Sequence, residues 1–207
     1  LRAAIAAPSI GLLLVAGFLA IFSLANFEST ISWTVAKMLG VERASHQILM
    51  FFAYIGLVQS LVQGLVVRRL AVRLGEATMV AIGGPLSILG YVLLVWASDA
   101  QYGGLGRVWW ASAVEVTGSA FLLPALQSLL SRRTDPAKQG GILGLGESIS
   151  ALARITGQVT GVALYHCAAT LPFWTAAAIM GLGLLSARVA VSGGRDWTEA
   201  VTQPCPT

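Results

Sequence analysis

Six long apolar stretches constrain this chain more than any other feature. They cover about residues 3–27, 47–67, 78–97, 108–130, 140–167 and 171–191. A helix rises about 1.5 Å per residue, so roughly 20 apolar residues cross the hydrocarbon core of a bilayer. Inside lipid a segment must satisfy its own backbone groups, which leaves helices or closed barrels. These runs are too long for barrel strands and do not alternate. The sequence therefore predicts an all-α membrane protein, with six transmembrane helices forming one bundle over residues 1–191. A polar, flexible tail over residues 192–207 (SGGRDWTEAVTQPCPT) follows it.

Composition supports the bilayer over a large soluble core. Charged residues make up only 11% of the chain and apolar ones 56%, where soluble domains hold about 25% charged residues. The mean hydropathy is +0.78, and the 23 glycines suit close helix contacts in lipid. A net charge of +4 does not point to nucleic acid, because the basic residues sit between apolar spans without aromatic interleaving. Two cysteines, Cys167 and Cys205, make neither a disulfide framework nor a zinc spacing. The stretch from Ala3 to Phe27 is longer than a signal-peptide core and reads as a spanning helix.

The placement of positive charge gives an orientation. With six spans, one side carries Arg2, Arg68, Arg69, Arg73, Arg132, Arg133, Lys138, Arg188 and Arg195, and the other Lys37, Arg43 and Arg107. Nine against three places both termini in the cytoplasm, in a plasma (inner) membrane. Trp96, Trp109, Trp110 and Trp174 then fall near the outer interface, as an aromatic belt does.

Polar residues inside the apolar stretches are the candidate functional sites. Glu147, Arg154, Gln158 and Gly161 share one helical face, with Tyr165 close to it. Burying a cation at mid-bilayer depth costs about 2.5–3.5 kcal/mol even on lenient scales. Such a stripe is expected to face a water-filled path or a countercharge. Glu115 lies about 12 Å below the outer end of its helix, on a face with Ser112 and Ser119. The short loop between the fourth and fifth stretches suggests that these helices pack together, so Arg154 is expected to pair with Glu115. A static pair that only fixes packing is the plainer alternative. Glu28, in NFEST, is placed at the outer end of the first helix, as a solvated end or a protonatable gate. Gln59 and Gln63 form a polar patch that suits interhelical hydrogen bonding as well as solute contact. Pro124 is expected to kink the fourth helix. Gly144, Gly157 and Gly161 are packing notches or hinges.

Enzyme chemistry finds little support. His46 and His166 lie on different spans, and no HExxH, Ser/His/Asp or Walker pattern occurs. No catalytic residue, metal ligand set or cofactor site is expected.

Three stretches resemble the C-terminal six helices of a major facilitator superfamily transporter, nearest the drug:proton antiporter branch of tetracycline-type efflux pumps. RRLAVRLGE, with Arg68, Arg69, Arg73 and Gly75, is similar to the family's basic loop motif. LPALQSLLSR matches at Pro124, Ala125, Leu126, Gln127, Leu130, Ser131 and Arg132. Asp135, Gln139, Gly140, Gly144, Leu152, Gly157 and Tyr165 follow the family's later spacing. Gln158 stands where the family usually has proline, and Glu147 and Arg154 lie outside the common pattern.

The resemblance implies a secondary transporter built of two six-helix bundles that rock about a central site. The expectation is proton-coupled efflux of a small organic solute. Glu28, Glu115 and Glu147 would carry the proton, and Arg154 would be a countercharge or anion contact. Solute uptake, or a non-transporting scaffold or receptor, are the alternatives. The partners implied are a small-molecule substrate, a proton, the lipid bilayer, and a missing N-terminal six-helix half or a second six-helix chain.

Overall fold

The computed structural model describes residues 8–39, 41–98 and 104–193. The expectations for Arg2, Arg195 and the 194–207 tail lie outside the described residues. Among the described residues six α-helices follow in order: α1 (Pro8–Leu39), α2 (Val41–Leu61), α3 (Arg68–Ser98), α4 (Leu105–Arg133), α5 (Gln139–Cys167) and α6 (Leu171–Gly193). A π-helical stretch, Val62–Val67, joins α2 to α3.

Two sequence boundaries need correction. The first helix does not stop at Phe27: α1 runs on to Leu39. Ser29, Thr30 and Thr34 turn their hydroxyls back onto the carbonyls of Asn26, Asn26 and Thr30, at 2.9, 2.8 and 3.1 Å. The polar FESTISWT segment thus satisfies itself and stays helical. The joint at 68–76 is also helical up to a sharp break at Gly75, with φ 73° and ψ 161°.

Among the described residues, five helical stretches are long and apolar enough to cross a membrane: Ser9–Leu39, His46–Ala71, Arg73–Ser98, Leu105–Arg133 and Leu171–Gly193. The sixth helix, α5, has ample length at 29 residues. Its apolar run is interrupted by Glu147, Arg154, Gln158 and two serines, Ser148 and Ser150. Large apolar side chains are bare along α2 (Leu49, Leu57), α5 (Ile155, Val159) and α6 (Leu182, Leu185). That much exposed hydrocarbon fits lipid or a second bundle, not water.

The bundle is built around α1, which contacts α2, α4, α5 and α6, while α3 packs mainly on α4. Glycines set the α3–α4 spacing. A Cβ on Gly90 would lie 2.5 Å from the Glu115 Cα, and one on Gly118 would lie 2.3 Å from the Ser87 nitrogen. Backbones can approach this closely only where a side chain is missing.

Candidate functional site

The α5 helix leans on α1 and barely touches α4. Gly157 and Gly161 make this possible. A Cβ on Gly157 would meet the Phe22 carbonyl at 2.5 Å, and one on Gly161 would meet Ser29 Oγ at 2.6 Å. Both are packing notches against α1, within an unbroken helix.

This docking decides the partner of Arg154. Its Nη1 lies 3.6 Å from Glu28 Oε2, so the ion pair is with α1 and not with Glu115. The expected pairing fails because chain neighbours α4 and α5 are not the helices in contact. Glu28 is also relocated. It lies well inside α1 rather than at its end, and its side chain is about one-third exposed.

A groove of about 370 Å³ opens where α1, the π-helical stretch, α4 and α5 meet. Its polar lining is Gln63, Gln127, Glu147, Ser150 and Arg154. Gln127 Nε2 donates to Glu147 Oε1 at 3.2 Å. Leu13, Phe18, Leu123 and Pro124 are among its apolar walls. A cation, a carboxylate and two amides in an apolar trough form a surface that can hold an amphipathic solute. Gln63 reaches the groove from π-helical backbone, a geometry often found at functional sites. Gln59 lies outside the lining, and Gln158 is exposed beyond it. Gly144 also lies outside it, with nothing near the position of a Cβ. The predicted stripe therefore splits: Glu147 and Arg154 face the groove, while Gly161 packs on α1.

Glu115 occupies different ground. It is 0% exposed, and neither carboxyl oxygen has a hydrogen-bond partner among the described residues. Pro124 lies within a continuous α4, and among the described residues the non-helical backbone noted inside a helix is at Gly75, in α3.

The loop-motif residues Arg68, Arg69 and Arg73 are exposed. Their neighbours form a latch that sequence reading passed over. Arg132 Nη1 donates to both Glu76 oxygens at 3.0 and 2.9 Å, and Ser128 Oγ donates to Oε1 at 3.0 Å. The RLGE and LSR segments therefore close on each other. Next to them, buried Arg133 donates to the carbonyls of Ala190 and Val191 at 2.6 and 3.3 Å, pinning α4 to the end of α6. A cation there also suits the negative end of that helix. Three tryptophans of the expected belt, Trp96, Trp110 and Trp174, are exposed. Trp109 instead packs against Phe51 and Tyr54 of α2.

No family model matches the chain. It is 26% identical over 198 residues to tetracycline resistance protein, class C, of Escherichia coli, a match covering 93% of this chain and 48% of that protein. It is 28% identical over 148 residues to major facilitator superfamily domain-containing protein 10 of Mus musculus, covering 72% of this chain and 31% of that protein. Tetracycline resistance protein, class B, of Escherichia coli is 28% identical over 122 residues, covering 59% of this chain and 28% of that protein. The chain thus spans about half the length, or less, of the curated relatives it matches. With this helical bundle, those likenesses make the chain a multi-pass membrane protein similar in sequence to proteins of the major facilitator superfamily.

Proposed function

We propose that the chain is the C-terminal six-helix half of a secondary transporter that couples proton movement to efflux of a small organic solute by alternating access. The observation that carries this reading is the Glu28–Arg154 pair beside the groove that Arg154, Glu147, Gln63 and Gln127 line. Ionisable groups within spanning helices that face a cavity are expected at solute and proton pathways. The tetracycline resistance relatives favour efflux over uptake, and a second six-helix half would cover the groove. Glu28, Glu115 and Glu147 are the proton carriers, and Arg154 holds an anionic or strongly polar part of the solute. The scaffold alternative loses ground because the groove reaches the Glu147–Arg154 face.

The positive-inside bias supports a cytoplasmic location for both termini of this segment, and a plasma membrane is proposed as the setting. The test uses energised vesicles holding the full-length protein, with tetracycline and other small organic probes. Flux driven by a proton gradient, and uncoupled in Glu28→Gln and Glu115→Gln, is the expected result. Probe movement indifferent to the gradient, or coupling intact after all three carboxylates are neutralised, rejects the reading.

A further inference from the structure

Four polar side chains meet inside the α3–α4 seam without partners. Ser87 and Tyr91 on α3, and Ser112 and Glu115 on α4, are each 0% exposed. Ser87 Oγ, the Tyr91 hydroxyl, Ser112 Oγ and both Glu115 carboxyl oxygens lack a hydrogen bond among the described residues. Ser87 and Tyr91 are one turn apart on one helix, and Ser112 and Glu115 are one turn apart on the other. The Gly90–Glu115 and Gly118–Ser87 contacts set these two faces together. Buried polar atoms are rarely left unmet, and each such group calls for an explanation such as an internal water or a proton role. Every one of these atoms is an oxygen. Hydroxyls both donate and accept, and so does a protonated carboxyl. That is the chemistry of a proton path.

Tyr91 also packs against α1, next to the residue that carries a second carboxyl. Its ring packs on Phe27 of α1 with centroids 6.2 Å apart, and the next residue in α1 is Glu28. Beyond Glu28 stands Arg154 of α5. Of the other helices, α2 brings Tyr54 against Trp109, and α6 carries Arg188 near its C-terminal end. Tyr91 thus sits between the helix of the enclosed acid and the turn of α1 that carries Glu28.

We propose that Tyr91 relays a proton between Glu115, sealed in the seam, and Glu28, the partner of the groove-lining Arg154, directly or through an internal water held by Ser87 and Ser112. The Glu115 O–H bond breaks as the Tyr91 oxygen takes that proton. The phenol's own proton leaves for a Glu28 carboxylate oxygen. Glu115 ends as a carboxylate, Glu28 as a carboxylic acid, and the tyrosine is unchanged. Neutral Glu28 then attracts Arg154 less and frees its guanidinium for an anionic part of the solute. The relay rests on the proton-coupled reading above and adds a route and a residue to it.

Infrared difference spectra of the full-length protein in lipid test it without a known solute. The carboxylic-acid carbonyl band of Glu115, identified by its loss in Glu115→Gln, is followed as hydrogen exchanges for deuterium. Tyr91→Phe keeps the ring against Phe27 and removes the relaying oxygen, so exchange at Glu115 should slow by about 100-fold. Glu28→Gln removes the far acceptor and should also slow it, and this variant serves if Tyr91→Phe does not fold. Wild-type exchange rates in the folded variants overturn the relay but leave proton coupling standing. Absence of any Glu115 acid band in the wild type overturns the relay and removes Glu115 from the proton carriers, leaving coupling to Glu28 and Glu147.

Discussion

Arg154 of α5 and Glu28 of α1 face each other at 3.6 Å, a pairing set by two glycines further along α5 that let the helices touch. Both side chains are partly open, at 53% and 36% exposure. The pair therefore contributes little to stability, on the order of 0–1 kcal/mol as for exposed pairs generally. Arg154→Gln should leave the thermal midpoint of the purified protein within a few degrees of wild type while abolishing gradient-driven flux. A large drop in the midpoint would mark the pair as structural.

The glycines of α5 are predicted to differ sharply. Gly161→Ala puts a methyl group 2.6 Å from Ser29 Oγ and 2.9 Å from the Asn26 carbonyl, and overpacking of this kind costs about 1–3 kcal/mol. Gly144→Ala meets nothing within 4 Å and should be neutral or slightly stabilising. Thermal unfolding of both variants in one detergent decides the matter, and equal midpoints would count against the notch assignment.

Gly75 breaks α3 at φ 73° and ψ 161°, a region that is essentially closed to other residues and costs them about 1–3 kcal/mol. Gly75→Ala should lower the yield of folded protein and loosen the Glu76–Arg132 latch. Protease sensitivity around residue 75 reads this directly. An unchanged digestion pattern would show that the break tolerates a side chain.

Two adjacent arginines make a further contrast. Arg132 is half exposed in its latch with Glu76, so Arg132→Ala should cost no more than about 1 kcal/mol. Arg133 is buried and holds the Ala190 and Val191 carbonyls, and charged hydrogen bonds of this kind contribute about 1.5–3 kcal/mol. Denaturation of the two variants should rank Arg133→Ala clearly below Arg132→Ala.

The sequence made the helical membrane class legible because apolar length needs no tertiary information. It also marked Glu115, Glu147 and Arg154 as polar intrusions worth explaining. It misplaced Glu28 because a run of Ser and Thr reads as a loop until their hydroxyls are seen bonding to their own helix. The Arg154 partner was beyond reach for a different reason. Adjacency in the chain suggested α4, whereas small residues at Gly157 and Gly161 direct α5 onto α1. Small-residue spacing was visible but did not reveal which helix would fill the notch. The seam around Tyr91 was missed since an isolated tyrosine in an apolar span gives no signal until α3 and α4 are docked.

Transport along this groove requires one face of α5 to be wet and another to be dry. Single cysteines at Glu147 or Ser150, which line the groove, and at Ile155 or Val159, which are bare apolar positions, separate the two faces. Native Cys167 and Cys205 are first replaced by serine. A water-soluble thiol reagent applied to the full-length protein in native membranes is predicted to label positions 147 and 150 and to spare 155 and 159. Labelling at 155 and 159 with none at 147 and 150 would turn Arg154's helix the other way and contradict the transport groove.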